Sequence, residues 1–223
     1  MKVFIIVPAY NEDMKIQSVL GDLKSKFQNI VVIDDGSTDN TYQQALSSGV
    51  TVLSHIVNRG QGAALMTGIK YSLDKGADII VSFDADGQHQ TEEIQKIINP
   101  IVHQQADIVL GSRFLEKKSK IPLARKIILK AGIVFTRLTT GLRLTDTHNG
   151  FRAFSRRAAK KINLRQDRMA HSSEILDEIK KSQLKYQEVP VNIKYTNYSM
   201  KKGQTGIDSL KIIKDILIKK LRK

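Results

Sequence analysis

The chain lacks cysteine altogether. This absence excludes a disulfide framework, a thiolate nucleophile and a thiolate metal site. No run of roughly eighteen or more apolar residues occurs, so we expect no membrane-spanning helix. The apolar run at residues 3–7 is too short for the core of a signal peptide, and we therefore expect a first strand there and a cytoplasmic chain.

Acidic and aromatic residues are scarce relative to basic ones. Lys and Arg number 36 against 22 Asp and Glu, the net charge is +14, and only 6% of the residues are aromatic. Such an excess indicates an anionic partner: nucleic acid, an anionic membrane surface or phosphorylated substrates. Few aromatic side chains are available for stacking on bases, and a nucleic-acid-binding module would leave the acidic clusters described below unexplained. We therefore expect no nucleic-acid partner.

Short apolar runs alternate with helical patterns through the first half of the chain. They predict strands at residues 3–7, 30–33, 51–54, 79–83 and 107–110, with a late strand at 189–195. Helices are predicted at residues 13–26, 40–48, 62–75 and 91–104. This alternation is typical of an α/β fold with a mostly parallel central sheet. We expect one domain over residues 1–205, followed by a helix over residues 206–223.

Four polar clusters follow predicted strands, at residues 8–12, 34–39, 58–62 and 84–89. Ligands bind beyond the carboxyl ends of parallel strands, so we expect these clusters to converge on one edge of the sheet. The 58–62 loop precedes a helix and is a plausible place for a phosphate. It resembles half of a dinucleotide fingerprint, but Leu65 stands where the third glycine would be, which disfavours a nicotinamide cofactor.

The cluster Asp-Ala-Asp-Gly-Gln-His (84–89) directly follows a predicted buried strand. Two carboxylates in this position are costly unless a positive charge lies between them. A hard divalent cation suits them, because it takes oxygen ligands and can share the oxygens of a substrate diphosphate. The alternative is an acidic turn that only ends the strand.

Two later segments are basic and amphipathic, at residues 117–143 and 206–223. Such helices can lie in the interface of an anionic bilayer. Alternatively, their apolar stripes pack on the protein's own core or on a second subunit. The sequence leaves open whether the chain forms a homo-oligomer or binds a membrane protein.

Six motifs, in order, resemble those of the family-2 glycosyltransferases with a GT-A fold, in particular the polyprenyl-phosphate (dolichyl-phosphate mannose synthase-like) branch. They are Pro-Ala-Tyr-Asn-Glu (8–12), Asp-Asp-Gly-Ser-Thr-Asp (34–39), Asn-Arg-Gly-Gln-Gly (58–62), Asp-Ala-Asp-Gly-Gln-His (84–89), Gly-Ser-Arg-Phe (111–114) and Asp-Thr-His-Asn-Gly-Phe-Arg (146–152). The resemblance runs from Val3 to about Asn192 and implies a single nucleotide-diphospho-sugar transferase domain.

The resemblance also implies roles for individual residues. The positions that match nucleotide-sugar contacts are Pro8, Tyr10, Glu12, Asp35, Gly60 and Asp84. The metal-coordinating sequence Asp-X-Asp-X-Gln, which holds Mg²⁺ or Mn²⁺, is matched by Asp84, Asp86 and Gln88. A late basic residue that contacts the diphosphate in the family is replaced here by Lys201 or Lys202, and Gln61 stands where the family commonly has lysine.

Arg113 and Arg125 match positions that face the acceptor phosphate, and with Asp86 they are the predicted catalytic residues. A guanidinium suits this task because it can bind two phosphate oxygens at once. The alternative for Arg125 is one more solvated charge on a basic helix. Asp146 begins a segment that is expected on the acceptor side.

His89 and His148 have no partner at a metal-ligand spacing. Each is therefore interpreted as a hydrogen-bonded structural residue, with the alternative that His89 orients the neighbouring aspartates.

These residues together predict a metal-dependent, inverting glycosyltransferase that acts on a polyprenyl phosphate, either undecaprenyl or dolichyl, at the inner membrane face. An ionised phosphate acceptor needs no strong general base. One alternative is a transferase that extends a lipid-linked or capsular polysaccharide, which would need a carboxylate base. Another is a catalytically silent relative that anchors a partner complex, but the intact metal motif argues against it.

Overall fold

The computed structural model describes residues 1–116, 123–147, 149–164 and 171–194. The strands in this part are β1 (Val3–Ala9), β2 (Ile30–Asp34), β3 (Thr51–Ser54), β4 (Ile79–Ser82), β5 (Ile108–Ser112), β6 (Arg152–Ser155) and β7 (Tyr186–Pro190). The helices are α1 (Ile16–Lys24), α2 (Thr41–Ser47), α3 (Gln61–Asp74), α4 (Ile94–Val102), α5 (Leu123–Thr140), α6 (Arg156–Lys161) and α7 (His171–Lys181). A 3₁₀ turn, Thr91–Glu93, precedes α4.

The strands form one seven-stranded sheet in the order β3-β2-β1-β4-β6-β5-β7. β6 runs antiparallel to both of its neighbours, and the other pairs are parallel. The predicted mostly parallel α/β sheet is therefore confirmed. Six strands consequently point their carboxyl ends to the same edge, where four of the conspicuous polar clusters of the sequence lie.

Both faces of the sheet are covered, which explains why the strands read as continuous apolar runs. Successive β1 residues enter opposite apolar layers, with Ile5 in the layer that contains α1 and α4 and Ile6 in the layer that contains α3, α6 and α7. α4 shows why a helix forms in this place: the buried side chains Ile94, Ile97, Ile98 and Ile101 recur at the spacing of one helical face.

The sequence missed β6, α6 and α7, and it placed the last strand too late. The strand predicted at residues 189–195 is observed at Tyr186–Pro190, because its pairing partner is β5. Beyond Pro190 the chain leaves the sheet and contacts the loop after β4, where the Lys194 amide donates to the carbonyl of Gln88. The basic segment predicted at 117–143 contains α5, whereas residues 117–122 and the helix predicted at 206–223 lie outside the described residues.

Within the described ranges, no helix combines the length and the apolar character that crossing a membrane requires.

Candidate active site

The carboxyl ends of β1, β2 and β4 bring three of the predicted polar clusters together. Ala9 is in register with Asp34, and the amide of Asp35 donates to the Ala9 carbonyl over 2.8 Å. On the other side of β1, Ile6 pairs with Ser82, the last residue of β4, so that β4 ends beside β1 two residues before Asp84. The convergence expected from the strand pattern is therefore observed for these clusters.

The 8–12 segment is fastened to the 34–39 turn and carries an exposed aromatic ring. The side-chain carbonyl of Asn11 accepts the Thr38 amide over 2.9 Å, and the Glu12 amide donates to the hydroxyl of Thr41 over 2.6 Å. Pro8 is the sixth residue of β1, and Glu12 is buried. Tyr10 lies between them with 41% of its surface exposed, at the edge where a ligand of the sheet would bind.

Asp35 is buried, and its carboxylate holds the loop at residues 58–62. Its Oδ1 accepts the Arg59 amide over 3.0 Å, and its Oδ2 accepts the Gly60 amide over 2.6 Å. Gly60 has a φ of 103°, which favours glycine. These two amides are therefore directed at a carboxylate of the protein, so that any phosphate contact of this loop would come from its other groups.

Asp84 is held from three sides. Its Oδ1 accepts a hydrogen bond from the side-chain amide of Gln61 over 2.9 Å, and its Oδ2 lies within hydrogen-bond distance of His89 Nε2, at 2.9 Å. A Cβ at Gly150 would lie 2.6 Å from the same Oδ2, so only glycine fits there. The His89 ring stacks on Phe151, with ring centroids 4.8 Å apart. His89 therefore contacts Asp84 directly. Such a contact fits the alternative that the sequence left open, in which His89 orients the neighbouring aspartates.

Asp84 and Asp86 differ in their electrostatic environment. Burial disfavours the ionised form of Asp84, but the attraction of His89, aided by His171 and Arg152, outweighs it and holds the pKa of Asp84 below its usual range. For Asp86, burial and the negative charge of Asp84 act together and raise the pKa to about 6. The two carboxylates are thus close enough for the charge of one to oppose ionisation of the other.

This donor set fits a hard divalent cation. The described residues include no group of three or more His, Cys, Asp or Glu side chains arranged to hold a metal ion. Asp84 and Asp86 supply carboxylate oxygens, and the side chain of Gln88 offers an amide oxygen. The backbone amide of Gln88 donates to Asp86 Oδ1 over 2.9 Å. Oxygen ligands of this kind suit Mg²⁺ or Mn²⁺ when water and substrate oxygens complete the shell. A cation would also relieve the repulsion that raises the pKa of Asp86.

The predicted acceptor residue Arg113 lies in a buried ion pair. Its Nε donates to Asp146 Oδ2 over 2.6 Å, and its Nη2 donates to Asp146 Oδ1 over 2.7 Å. The side chains are 6% and 1% exposed. Arg125 lies in the first turn of α5, and its side chain is outside what the structure describes. Lys201, Lys202 and His148 also lie outside the described residues.

Asp146 is itself positioned by Glu188 on the edge strand β7. The Glu188 carboxylate accepts the Thr145 amide over 2.8 Å and the Asp146 amide over 2.9 Å. Burial raises the pKa of Glu188, although these hydrogen bonds oppose the rise. The Thr145 hydroxyl also contacts the hydroxyl of Ser112 over 2.6 Å, which ties the segment to the end of β5.

Arg152 is buried on β6, and its Nε donates to the carbonyl of Asn149 over 2.9 Å. Burial lowers the pKa of Arg152 to about 10, and the attraction of Asp146 and Asp84 opposes this fall. The guanidinium therefore stays charged at neutral pH, and both carboxylates favour this charged form. The sequence placed Arg152 in a motif without giving it a role, and it gave none to Glu188 or to His55, which contacts Asp35. Only for Arg152 did a signal exist, because the residue ends a recognisable motif.

Glucosyl-3-phosphoglycerate synthase from Mycobacterium tuberculosis has the same fold. Its structure with Mg²⁺ and UDP gives a TM-score of 0.74 at 19% identity, covering 97% of this chain and 78% of that one. Its structure with Mn²⁺, UDP and glucosyl-3-phosphoglycerate gives 0.70 at 19% identity, with the same coverage of 97% and 78%. This likeness confirms the predicted GT-A fold.

Curated relatives are closer in sequence. UDP-N-acetylglucosamine–dolichyl-phosphate N-acetylglucosaminyltransferase from Methanococcus voltae is 36% identical, over 99% of this chain and 97% of the relative. Undecaprenyl-phosphate mannosyltransferase from Micrococcus luteus is 34% identical, over 74% of this chain and 70% of the relative. These relatives confirm the resemblance to the polyprenyl-phosphate branch.

The sequence model of Glycosyl transferase family 2 matches residues 4–163. The match includes β1 to β6 and every predicted donor and metal position except Lys201 and Lys202. It spans well over half of the chain, and the prediction of a glycosyltransferase is thereby confirmed. The protein belongs to glycosyl transferase family 2.

Proposed function

We propose that the protein is a metal-dependent, inverting glycosyltransferase that moves a sugar from a nucleotide-sugar to a polyprenyl phosphate at the cytoplasmic face of a membrane. The observation that carries this proposal is the pair Asp84 and Asp86 at the carboxyl edge of the sheet, together with the buried ion pair of Arg113 and Asp146. The relatives' named activities on dolichyl and undecaprenyl phosphates support the choice of acceptor.

The donor nucleotide is assigned to the edge formed by β1, β2 and the loop before α3. Tyr10 offers an exposed ring for stacking on the base, next to Pro8 and Glu12. The hydrogen bond from the Gly60 amide to Asp35 holds the loop before α3 at the end of β2, where we assign both residues to the nucleotide. Lys201 and Lys202 remain proposed contacts of the diphosphate.

We assign Asp84, Asp86 and Gln88 to the cation that accompanies the diphosphate, and the solved structures with Mn²⁺ or Mg²⁺ and UDP support this assignment. When bound, the cation supplies neutralisation of the charge that grows on the departing diphosphate. The chain's own contribution is to hold both carboxylates in place: Gln61 and His89 fix Asp84, and the Gln88 amide fixes Asp86.

On the acceptor side, Arg113 and Arg125 align the phosphate whose oxygen attacks the anomeric carbon from the face opposite the leaving group. A phosphate acceptor is already ionised near neutral pH, so no side chain has to remove a proton from it. Asp146 holds the Arg113 guanidinium in one plane, which limits the directions from which the phosphate can be bound.

The exposed face of α5 supports docking on an anionic membrane. Ile127, Val134 and Leu138 share one face at spacings of a helical repeat and are 62%, 59% and 80% exposed. The exposed basic residues Lys126, Lys130 and Arg137 lie on the same helix, which contains no acidic residue. A basic helix with an apolar stripe favours the interface of an anionic bilayer.

The test is sugar transfer by the purified protein. UDP-, GDP- and dTDP-sugars are offered with undecaprenyl or dolichyl phosphate, with and without Mn²⁺ or Mg²⁺. We expect transfer that needs the cation and that falls on the order of 10²–10³-fold in Asp86→Asn. Asp22→Asn, at an exposed position of α1, is the matched control and keeps full activity. Transfer that survives both chelation and Asp86→Asn, or that occurs only to a glycan acceptor, would refute the proposal.

A further inference from the structure

His55 follows β3 and lies in the donor half of the site, and both of its ring nitrogens are engaged. Nδ1 lies 2.7 Å from Asp35 Oδ1, and Nε2 lies 2.9 Å from the hydroxyl of Thr67 on α3. The side chain of His55 is only 10% exposed. Because Asp35 is a carboxylate, Nδ1 is the donor in the first contact, and the ring is fixed between the end of β2 and the middle of α3.

The Asp35 carboxylate that His55 contacts is the same group that holds the 58–62 loop. Oδ1 is shared between His55 and the Arg59 amide, and Oδ2 accepts the Gly60 amide. A rotation of this carboxylate would release both amides. The loop leads directly into α3, whose first residue, Gln61, donates to Asp84. The orientation of one carboxylate therefore determines how the loop and the start of α3 approach the donor edge.

The turn around Gly36 leaves little room for any other arrangement. A Cβ at Gly36 would lie 2.7 Å from the carbonyl carbon of Val57, and Gly36 has a φ of 71°. The backbone of Gly36, the residue after Asp35, therefore lies against the backbone of Val57 and Asn58, where the 58–62 loop begins. With the backbones this close, a change in the side chain of Asp35 is transmitted to the loop rather than absorbed by a gap.

We propose that His55 is a positioning residue for the nucleotide: by donating to Asp35, it fixes the 58–62 loop beside the donor and sets the approach of Gln61 to Asp84. The inference rests on the proposed function, because it takes this loop as part of the donor site. His55 acts on the donor only through Asp35 and the loop.

Two substitutions separate the contacts of the ring. The side-chain amide of His55→Asn can reach Asp35 from the position of Nδ1 but is too short to reach Thr67. The side chain of His55→Gln reaches toward Thr67 from the position of Nε2 and loses the donor to Asp35. His103→Gln is a matched control, since His103 is exposed at the end of α4 and its Nδ1 contacts the Asn99 carbonyl over 2.8 Å.

The affinities of UDP, GDP and dTDP are measured by calorimetry with Mn²⁺, and exchange of the Arg59 and Gly60 amides is followed by hydrogen–deuterium exchange without nucleotide. We expect His55→Gln to weaken nucleotide binding about tenfold and to accelerate exchange of both amides, because a hydrogen bond to a charged group is lost. We expect His55→Asn to lose no more than about threefold, because only the neutral contact to Thr67 is missing.

The outcomes distinguish the inference from the function on which it rests. Equal losses in His55→Asn and His55→Gln, or a lower melting temperature in His55→Gln with unchanged amide exchange and nucleotide affinity, would overturn the positioning role. If the wild-type protein binds none of the three nucleotides, the proposed donor function fails. Exchange at Arg59 and Gly60 then still decides whether His55 orders the loop.

Discussion

The buried pair of Arg113 and Asp146 makes a quantitative prediction about stability. With side chains 6% and 1% exposed, the pair has little solvent to replace a lost partner. Removing one partner of such a pair costs about 3–5 kcal/mol of the free energy of unfolding, because the other charge stays buried. At this chain length each kcal/mol shifts the melting temperature by about 2–4 °C, so a single substitution should lower it by about 6–20 °C.

The two single substitutions should not be equivalent. Asp146→Leu leaves Arg113 without its carboxylate and also removes the attraction that Asp146 exerts on the buried Arg152. Arg113→Met leaves Asp146 with Arg152 still nearby and with its amide still bound to Glu188. We therefore expect Asp146→Leu to be the more destabilising of the two. The double variant should recover part of the loss, since apolar residues can replace a buried ion pair at little cost.

Urea and thermal unfolding of the wild type, both single variants and the double variant give the coupling energy, for which we expect about 1–3 kcal/mol. Arg157→Met is the control, because Arg157 is 58% exposed and lies 3.4 Å from Asp107. Such a surface pair contributes at most about 1 kcal/mol. A double variant whose loss equals the sum of the single losses would show that the two charges do not depend on each other.

Three further predictions concern the metal site, the acceptor segment and the membrane face. Since the pKa of Asp86 is raised to about 6, protons compete with the cation below that pH: calorimetry should show Mn²⁺ affinity falling by up to about tenfold per pH unit below 6 and nearly constant above pH 7. Asp86→Asn should abolish this pH dependence, and a dependence that persists would contradict the assignment. Glu188→Gln should raise the acceptor KM about tenfold and leave nucleotide affinity unchanged, because it weakens the bonds that position Asp146; an equal loss of nucleotide affinity would show that Glu188 serves the fold as a whole. Replacing exposed Val134 and Leu138 with Ser should reduce sedimentation with anionic vesicles about tenfold or more at low salt, and high salt should release the wild type; sedimentation that is indifferent to lipid charge would assign this face to a protein contact.

Local patterns sufficed for the donor half of the site. The apolar runs of β1, β2 and β4 are buried on both faces, so they stand out in the sequence, and the polar residues after them necessarily meet at one edge. The aspartates at 84 and 86 were recognised for the same reason. Helix ends were less exact: the helix predicted at 91–104 begins as a 3₁₀ turn and ends at Val102.

The acceptor half depends on pairings between distant parts of the chain, which local patterns do not reveal. β6 has only four residues, begins with a buried arginine and runs antiparallel between two parallel strands. Glu188 meets Thr145 across 43 residues of sequence, and β7 takes its register from β5. An isolated Glu in a strand of mixed polarity gives no signal that it holds two backbone amides. The same holds for His55, whose partner Asp35 lies 20 residues earlier.

The charge of Arg152 is felt in both halves of the site. Arg152 stays protonated and is attracted by Asp84 and Asp146, which are paired with His89 and Arg113, respectively. For Asp86, burial and the negative charge of Asp84 outweigh the attraction of His89, and the pKa of Asp86 is raised to about 6. A cation bound beside Asp86 would favour its ionised form. The charge of Arg113 is already paired with Asp146, so we propose that Arg125 of α5 supplies a further positive charge for the acceptor phosphate.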